Sequence, residues 1–245
     1  MGKRIVVVGA GAVGGYVGAQ LAAAGQGVTL VDGWDEHVAA VRAHGFAIDG
    51  MTPEETLAVP VPILHEREIG RLAEGPPVDL ALVAVKSYDT GRATRLILPF
   101  LAADALVVSL QNGINEGVIA EVVGRERTAG IIAARIAVEL DRAGHVRRLV
   151  PRGSPGIDVF RVGELDGRRT LRIEALGELL RLVDSVKVTG NLAGSGSVSV
   201  VASPACGTAA VANTEVHSWH SGRPITASGC GKGWPAAVLI ESPSA

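Results

Sequence analysis

The sequence predicts an α/β fold built on a doubly wound, mainly parallel sheet. Three observations carry this: short, wholly apolar runs that recur along the chain, helical stripes between them, and glycines at the junctions. Ile5-Val6-Val7-Val8 and Leu80-Ala81-Leu82-Val83-Ala84-Val85 contain no polar residue at alternate positions. Such runs mark strands covered on both faces, as in a parallel sheet flanked by helices. With 245 residues the chain can bury a substantial core, and 3% aromatic content makes that core one of Val, Leu, Ile and Ala.

The elements follow in order. Residues 5–8 predict the first strand, ended by Gly9. Residues 12–24 are small and helical in pattern, with Gly25 as the stop, and 28–31 form the second strand. Residues 35–44 predict a helix closed by Gly45. Between 46 and 61, Pro53 and Pro60 break any long element, so short strands are expected. Residues 80–85 predict a strand, 90–101 a helix, 105–110 a strand and 116–123 a short helix. Further strands are expected within 127–138, 145–150 and 160–163. Leu171, Ile173, Leu176, Leu179, Leu180 and Val183 form one stripe of a helix over 170–182, and 186–188 returns to strand.

The first junction carries chemistry. Gly9-Ala10-Gly11-Ala12-Val13-Gly14 fits GxGxxG, a weak pattern alone in a chain of 32 glycines. Its setting makes it specific, because it follows a buried strand and opens a helix. Gly9 makes the tight turn, Gly11 lets a pyrophosphate approach the backbone, and Gly14 lets helix and sheet pack closely. The helix amino terminus adds amide donors and a favourable dipole for the anion. This is the fingerprint of a Rossmann-type dinucleotide-binding domain.

Asp32 ends the second strand, 18 residues past Gly14. A carboxylate there can accept hydrogen bonds from the adenosine ribose hydroxyls and repel a 2′-phosphate, which favours NAD over NADP. The plain alternative is a turn or cap residue before Gly33. Lys86 and Asn112 come just after apolar strands, where α/β sheets place their chemistry. The lysine can meet a cofactor or substrate anion, and the asparagine amide a ribose hydroxyl or a substrate carboxylate. A solvated lysine and an Asn-Gly turn are the alternatives.

A net charge of −2 provides no broad attraction to nucleic acid or an anionic membrane, and neither partner is expected. Residues 5–8 are too short for the apolar region of a signal peptide, and no run of about 18 apolar residues predicts a membrane span. Cys206 and Cys230, with no CxxC spacing, suit a reducing cytoplasm. His217 and His220 have ligand-like spacing but no neighbouring carboxylates, so no metal site is expected.

Three stretches together resemble the ketopantoate reductases (2-dehydropantoate 2-reductases). They are Val8-Gly9-Ala10-Gly11-Ala12-Val13-Gly14-Gly15-Tyr16, Ala84-Val85-Lys86-Ser87-Tyr88-Asp89-Thr90 and Val108-Ser109-Leu110-Gln111-Asn112-Gly113. The likeness extends to Val186-Lys187-Val188-Thr189 and Asn191-Leu192. It implies NAD(P)H-dependent reduction of a small 2-oxo acid, with Lys86 and Asn112 lining the cofactor and substrate cleft. The family's usual cofactor is NADPH, from which Asp32 departs. The family also places an all-helical second domain after the Rossmann domain, and its proton-donating lysine lies in a Trp-x-Lys-Leu setting soon after an Asn-Leu segment.

That setting is missing here. No lysine occurs between Lys187 and Lys232, and from Ser195 onward the only charged residues are Glu215, Arg223, Lys232 and Glu241. The expected organisation is a dinucleotide-binding domain over 1–190. Residues 191–245 form an atypical segment in place of the helical substrate domain, read as disordered, damaged in frame, truncated or divergent. No catalytic residue is assigned. Two other readings stay open, a dinucleotide-binding protein without turnover and another Rossmann hydroxy-acid dehydrogenase. A homodimer is compatible with any of them.

Overall fold

The computed structural model describes residues 2–111, 114–153, 156 and 158–192, with the backbone of 198–199 and 213–214. The chain divides into two units, Met1–Gly196 and Ser197–Ala245. In the second, Val198–Ser199 pairs antiparallel with Asn213–Thr214. Cys206, His217, His220 and Cys230 lie outside the described residues.

The first unit opens with strand β1 (Arg4–Val8), helix α1 (Ala12–Ala23), β2 (Gly27–Asp32) and helix α2 (Asp35–His44). Gly45 ends α2 at φ +78°, the left-handed conformation that glycine adopts without a steric cost. Three short strands follow, β3 (Phe46–Asp49), β4 (Leu57–Val59) and β5 (Ile63–His65), then a 3-10 helix over Glu66–Glu74. Next come β6 (Val78–Val83), α3 (Thr90–Ile97), β7 (Leu101–Leu110), α4 (Glu116–Val123) and β8 (Thr128–Ala133). The unit closes with β9 (Val138–Arg142), β10 (His145–Arg148), β11 (Phe160–Glu164), α5 (Leu171–Arg181) and β12 (Val186–Val188).

Eight strands form one sheet in the order β12-β11-β8-β7-β6-β1-β2-β5. All neighbours run parallel except β8 and β11, so the expected doubly wound, mainly parallel sheet is present. The apolar run of β1 shows why. Ile5 and Val7 face a core made with α1, α2 and α5, while Val6 and Val8 face a core made with the 66–74 segment, α3 and α4. All four are fully buried, and burying one such side chain contributes roughly 1.5–3 kcal/mol.

The structure differs from the sequence expectations at several elements, of which three bear on the site and its surroundings. The helix expected to reach Leu101 stops at Ile97, and Leu101 opens β7 instead. Pro99 is the reason: it lacks an amide donor and restricts Leu98 before it, so a 3-10 turn replaces the last helical turn. The strand expected over 80–85 ends at Val83, which leaves Lys86 three residues beyond it rather than directly after it. The short strands also build a second sheet, β4-β3-β10-β9, in which β3 and β10 pair in parallel with Ala47 opposite His145.

A buried polar network ties α1 to the carboxyl half of the unit. Arg148 donates to the Tyr16 hydroxyl and to the Asp184 carboxylate, and also to the carbonyls of Val150 (2.7 Å) and Pro151 (3.2 Å). Asp184 accepts in turn from the amides of Gly153 (3.1 Å) and Ser185 (2.7 Å). Burial pushes the Tyr16 phenol above its ordinary range, against the opposing pull of Arg148, so Tyr16 stays neutral and accepts.

Candidate dinucleotide site

The turn after β1 is built by the absence of side chains. Gly9 has φ +97° and donates its amide to the Val31 carbonyl (2.8 Å), while the Val8 carbonyl accepts from Ala84 (2.8 Å). A Cβ on Gly9 would stand 2.9 Å from the Ala84 and Val85 backbone. On Gly14 it would stand 2.1 Å from the Gly9 oxygen and 2.6 Å from the Ala84 Cβ. Gly11 is different, because a Cβ there would meet none of the described atoms within 4 Å. Two glycines are therefore demanded by packing, and the middle one faces open space where a ligand backbone can come close. No side chain caps α1 and no acidic residue stands in its first turn, so its amino-terminal dipole is left for an anion.

Asp32 lies at the end of β2, beside that opening. Its Oδ2 accepts from the Ala10 amide (2.8 Å) and its Oδ1 from the Trp34 amide (2.9 Å). The turn role and the ligand role are thus compatible, since two amide bonds leave a carboxylate with free lone pairs. Behind it sits His37, 1% exposed, stacked on Trp34 at 5.5 Å and edge-on to Phe46 at 5.7 Å. Its Nδ1 accepts from the Gly144 amide (2.9 Å), and burial lowers its pKa against the pull of Asp32, which keeps the ring neutral.

On the other side of β1, the chain leaves β6 through a turn that contains Lys86. The lysine is exposed, and its carbonyl accepts from the Asp89 amide (2.8 Å). Asn112 lies outside the described residues. Its neighbour Gln111 is described, is buried, and was not singled out from sequence. Gln111 Nε2 donates to the Val85 carbonyl (2.6 Å) and the Thr90 hydroxyl (2.9 Å), while its Oε1 accepts from Ser109 (3.3 Å). It pins the Lys86 turn to the end of β7. The available signal was a polar residue directly after the apolar β7 run, where a buried amide needs partners on a neighbouring loop.

Glu116, in the first turn of α4, is also buried, and a Cβ on Gly130 of β8 would come within 2.8 Å of its Oε1. Burial pushes its carboxyl above the ordinary range, against hydrogen bonds from the 115 and 116 backbone and from Ser109. With the folded pKa raised, the folded state holds more protons than the unfolded one. The stability from Glu116 is present at low pH and is lost as pH rises from the ordinary glutamate range through the folded value. Glu116→Gln removes that loss. Thermal melts of both proteins should give a difference in Tm that widens in favour of Glu116→Gln as pH rises, and a pH-independent difference would refute a raised pKa.

Among the described residues, no three His, Cys, Asp or Glu side chains gather as metal ligands, and no helix is long and apolar enough to cross a membrane. Tyr88 and Ile114 are exposed apolar side chains beside the Lys86 turn and the start of α4, 85% and 64% accessible.

The sequence model of the family described as "Ketopantoate reductase PanE/ApbA" matches residues 5–157. The chain is 29% identical over 198 residues to the 2-dehydropantoate 2-reductase of Mesorhizobium japonicum, covering 71% of this chain and 56% of that protein. To the Halobacterium salinarum enzyme of the same name it is 38% identical over 123 residues, covering 48% and 37%. Among solved structures, a PanE/ApbA family ketopantoate reductase from Ralstonia eutropha superposes with a TM-score of 0.64 at 29% identity, covering 78% of this chain and 58% of that one. The chain spans between about a third and a little over half of the length of the curated relatives it matches.

Proposed function

Because the chain belongs to the ketopantoate reductase PanE/ApbA family, we propose that it binds a reduced nicotinamide dinucleotide and serves reduction of a 2-oxo acid of the 2-dehydropantoate type. The observation that carries this reading is the contrast within the glycine loop. Gly9 and Gly14 are filled around by protein, and Gly11 is open. A tight turn with no ligand would need the first two and not the third.

The dinucleotide, when bound, supplies the hydride. The residues of this chain bind and orient it. The amides at the start of α1 would hold the pyrophosphate, and Asp32, which already accepts from the Ala10 and Trp34 amides, would accept from the ribose hydroxyls. Lys86 brings a positive charge to the same edge of the sheet, on a turn that Gln111 keeps in place. Asn112, adjacent to Gln111, is assigned to the ribose or the substrate carboxylate. The described residues are given binding roles, and none is assigned the proton that an alkoxide product requires.

Asp32 makes NADH the preferred dinucleotide. Asp32→Ala is expected to weaken NADH binding roughly tenfold and NADPH less, because the lost acceptor is partly offset for NADPH by the lost repulsion. Titration of nucleotide fluorescence measures both, and an unchanged preference would remove Asp32 from this role.

The same titration, run with 2-dehydropantoate-dependent oxidation of the nucleotide, tests the function. Binding with turnover supports the reductase. Binding without turnover favours a dinucleotide-binding protein, the reading suggested by the absence of lysine between Lys187 and Lys232. Failure to bind either nucleotide would refute both.

A further inference from the structure

An ion pair spans the edge of the sheet where the glycine loop and Asp32 lie. In the strand order β6-β1-β2-β5, β1 carries the loop and β2 carries Asp32, so both lie between β6 and β5. Asp32 is in register with His65 at the end of β5, and Glu66 is the next residue. A Cβ on Gly33 would stand 3.3 Å from the Glu66 carboxyl carbon, which places that carboxylate against the residue following Asp32. From the other side, Arg92 in the first turn of α3 reaches Glu66 with two bonds, Nη1 to Oε2 at 2.7 Å and Nη2 to Oε1 at 3.0 Å. Its Nε donates to Asp89 (3.3 Å). The 66–74 segment and α3 pack on the same face of the sheet, sharing the core that holds Ile69, Leu72, Ala93 and Ile97. The pair is therefore a strap from the segment after β5 to the start of α3, across the ends of β1 and β2.

We propose that this strap selects the dinucleotide: Glu66 sets a second carboxylate beside Asp32 and holds Arg92 away from a 2′-phosphate. The inference rests on the dinucleotide reading above and assigns that site a selectivity device. A bidentate carboxylate satisfies the planar fork of an arginine, which is the same geometry that the fork would offer to phosphate. Held by Glu66 and Asp89, the Arg92 charge is already compensated by carboxylates. The Glu66 carboxyl stays ionised at neutral pH, since the Arg92 hydrogen bonds hold it below the ordinary range. A phosphate with nearly two negative charges meets Asp32 and Glu66 together, whereas a ribose hydroxyl finds acceptors. The Arg92 side chain is 53% exposed and that of Glu66 22%, so both are within reach of a ligand.

The test is the binding of NADH and NADPH to the full chain, to Glu66→Gln, to Arg92→Gln and to the double variant. Exposed pairs of this kind contribute little to stability, so the variants should remain folded, which their melting curves will check. The parent should prefer NADH. Glu66→Gln should raise the ratio of NADPH to NADH affinity about tenfold, because the end of the guanidinium fork released from Glu66 gains charge-assisted bonds to the phosphate. Adding Arg92→Gln should abolish the gain, and Arg92→Gln alone should leave NADH binding near the parent value. If the parent binds NADH but Glu66→Gln leaves the NADPH to NADH ratio within about twofold, the strap proposal is overturned while the dinucleotide reading stands. A parent that prefers NADPH also overturns it. If the parent and all variants bind neither nucleotide, both fall.

Discussion

Gly14→Ala is expected to destabilise the fold by about 2 kcal/mol or more, whereas Gly11→Ala leaves stability unchanged and weakens dinucleotide binding. The two substitutions add the same single carbon to the same loop. On Gly14 that carbon stands 2.1 Å from the Gly9 carbonyl oxygen and 2.6 Å from the Ala84 Cβ, so α1 must move away from the sheet. The Gly9 carbonyl is backbone and cannot swing aside as a side-chain tip would. At roughly 2–4 °C per kcal/mol for a unit of this size, Gly14→Ala should lower Tm by about 5 °C or more. On Gly11 the added carbon enters open space, so no strain arises until a pyrophosphate approaches. The expected result for Gly11→Ala is a parental melting curve with NADH affinity reduced about tenfold, about 1.4 kcal/mol. Equal loss of Tm in both variants, with binding retained in Gly11→Ala, would mean that the loop is a packing device only.

That pair of variants reflects which parts of the molecule were legible in the sequence. The strand, glycine turn and helix are written in residue types that few other conformations tolerate. A run of four β-branched or aliphatic residues must be covered on both sides, and glycine at φ +97° is a backbone requirement visible as a letter. Asp32 was legible for the same reason, as an acid at the end of a strand whose position relative to the loop is set by the geometry of the βαβ unit.

What the sequence hid depends on partners far away in the chain. The parallel pairing of β3 with β10 joins Ala47 to His145, and neither strand is long enough to announce a sheet alone. Gln111 reads as an ordinary polar residue after a strand, and becomes a structural clamp only when the Val85 carbonyl and the Thr90 hydroxyl are placed beside it. Glu66 and Arg92 are 26 residues apart and reach one another because β5 and β6 flank β1 and β2, an order of strands that no local pattern states. The fold around the candidate site was thus readable where backbone geometry dictates residue type. It was unreadable where side chains from separate crossovers meet.

Asp184→Ala is expected to have the largest effect on stability of any single change considered, about 3–5 kcal/mol, because it strands a buried guanidinium. Arg148 and Asp184 have side chains 1% and 0% exposed. Taking both charges out of water costs several kcal/mol each, and their attraction repays this only while every donor is used. Here Tyr16, Asp184, Val150 and Pro151 together occupy the fork. Removing the carboxylate leaves the positive charge buried beside the phenol and two carbonyls, and also removes the acceptor that the Gly153 and Ser185 amides share. Replacing both charged partners with apolar residues of similar volume, as in Arg148→Met with Asp184→Leu, should cost less than Asp184→Ala alone, since no unpaired charge remains. Urea unfolding of the single and double variants measures the difference directly. A single variant that loses less than about 1 kcal/mol would show that water reaches Arg148 and that the pair is not the buried brace described. The brace also bears on the proposed binding, because Tyr16 stands two residues after Gly14 in the helix whose amino terminus is assigned to the pyrophosphate. Loosening Arg148 should therefore weaken NADH affinity in Asp184→Ala even where the variant remains folded, and that loss should be smaller than the one caused by Gly11→Ala.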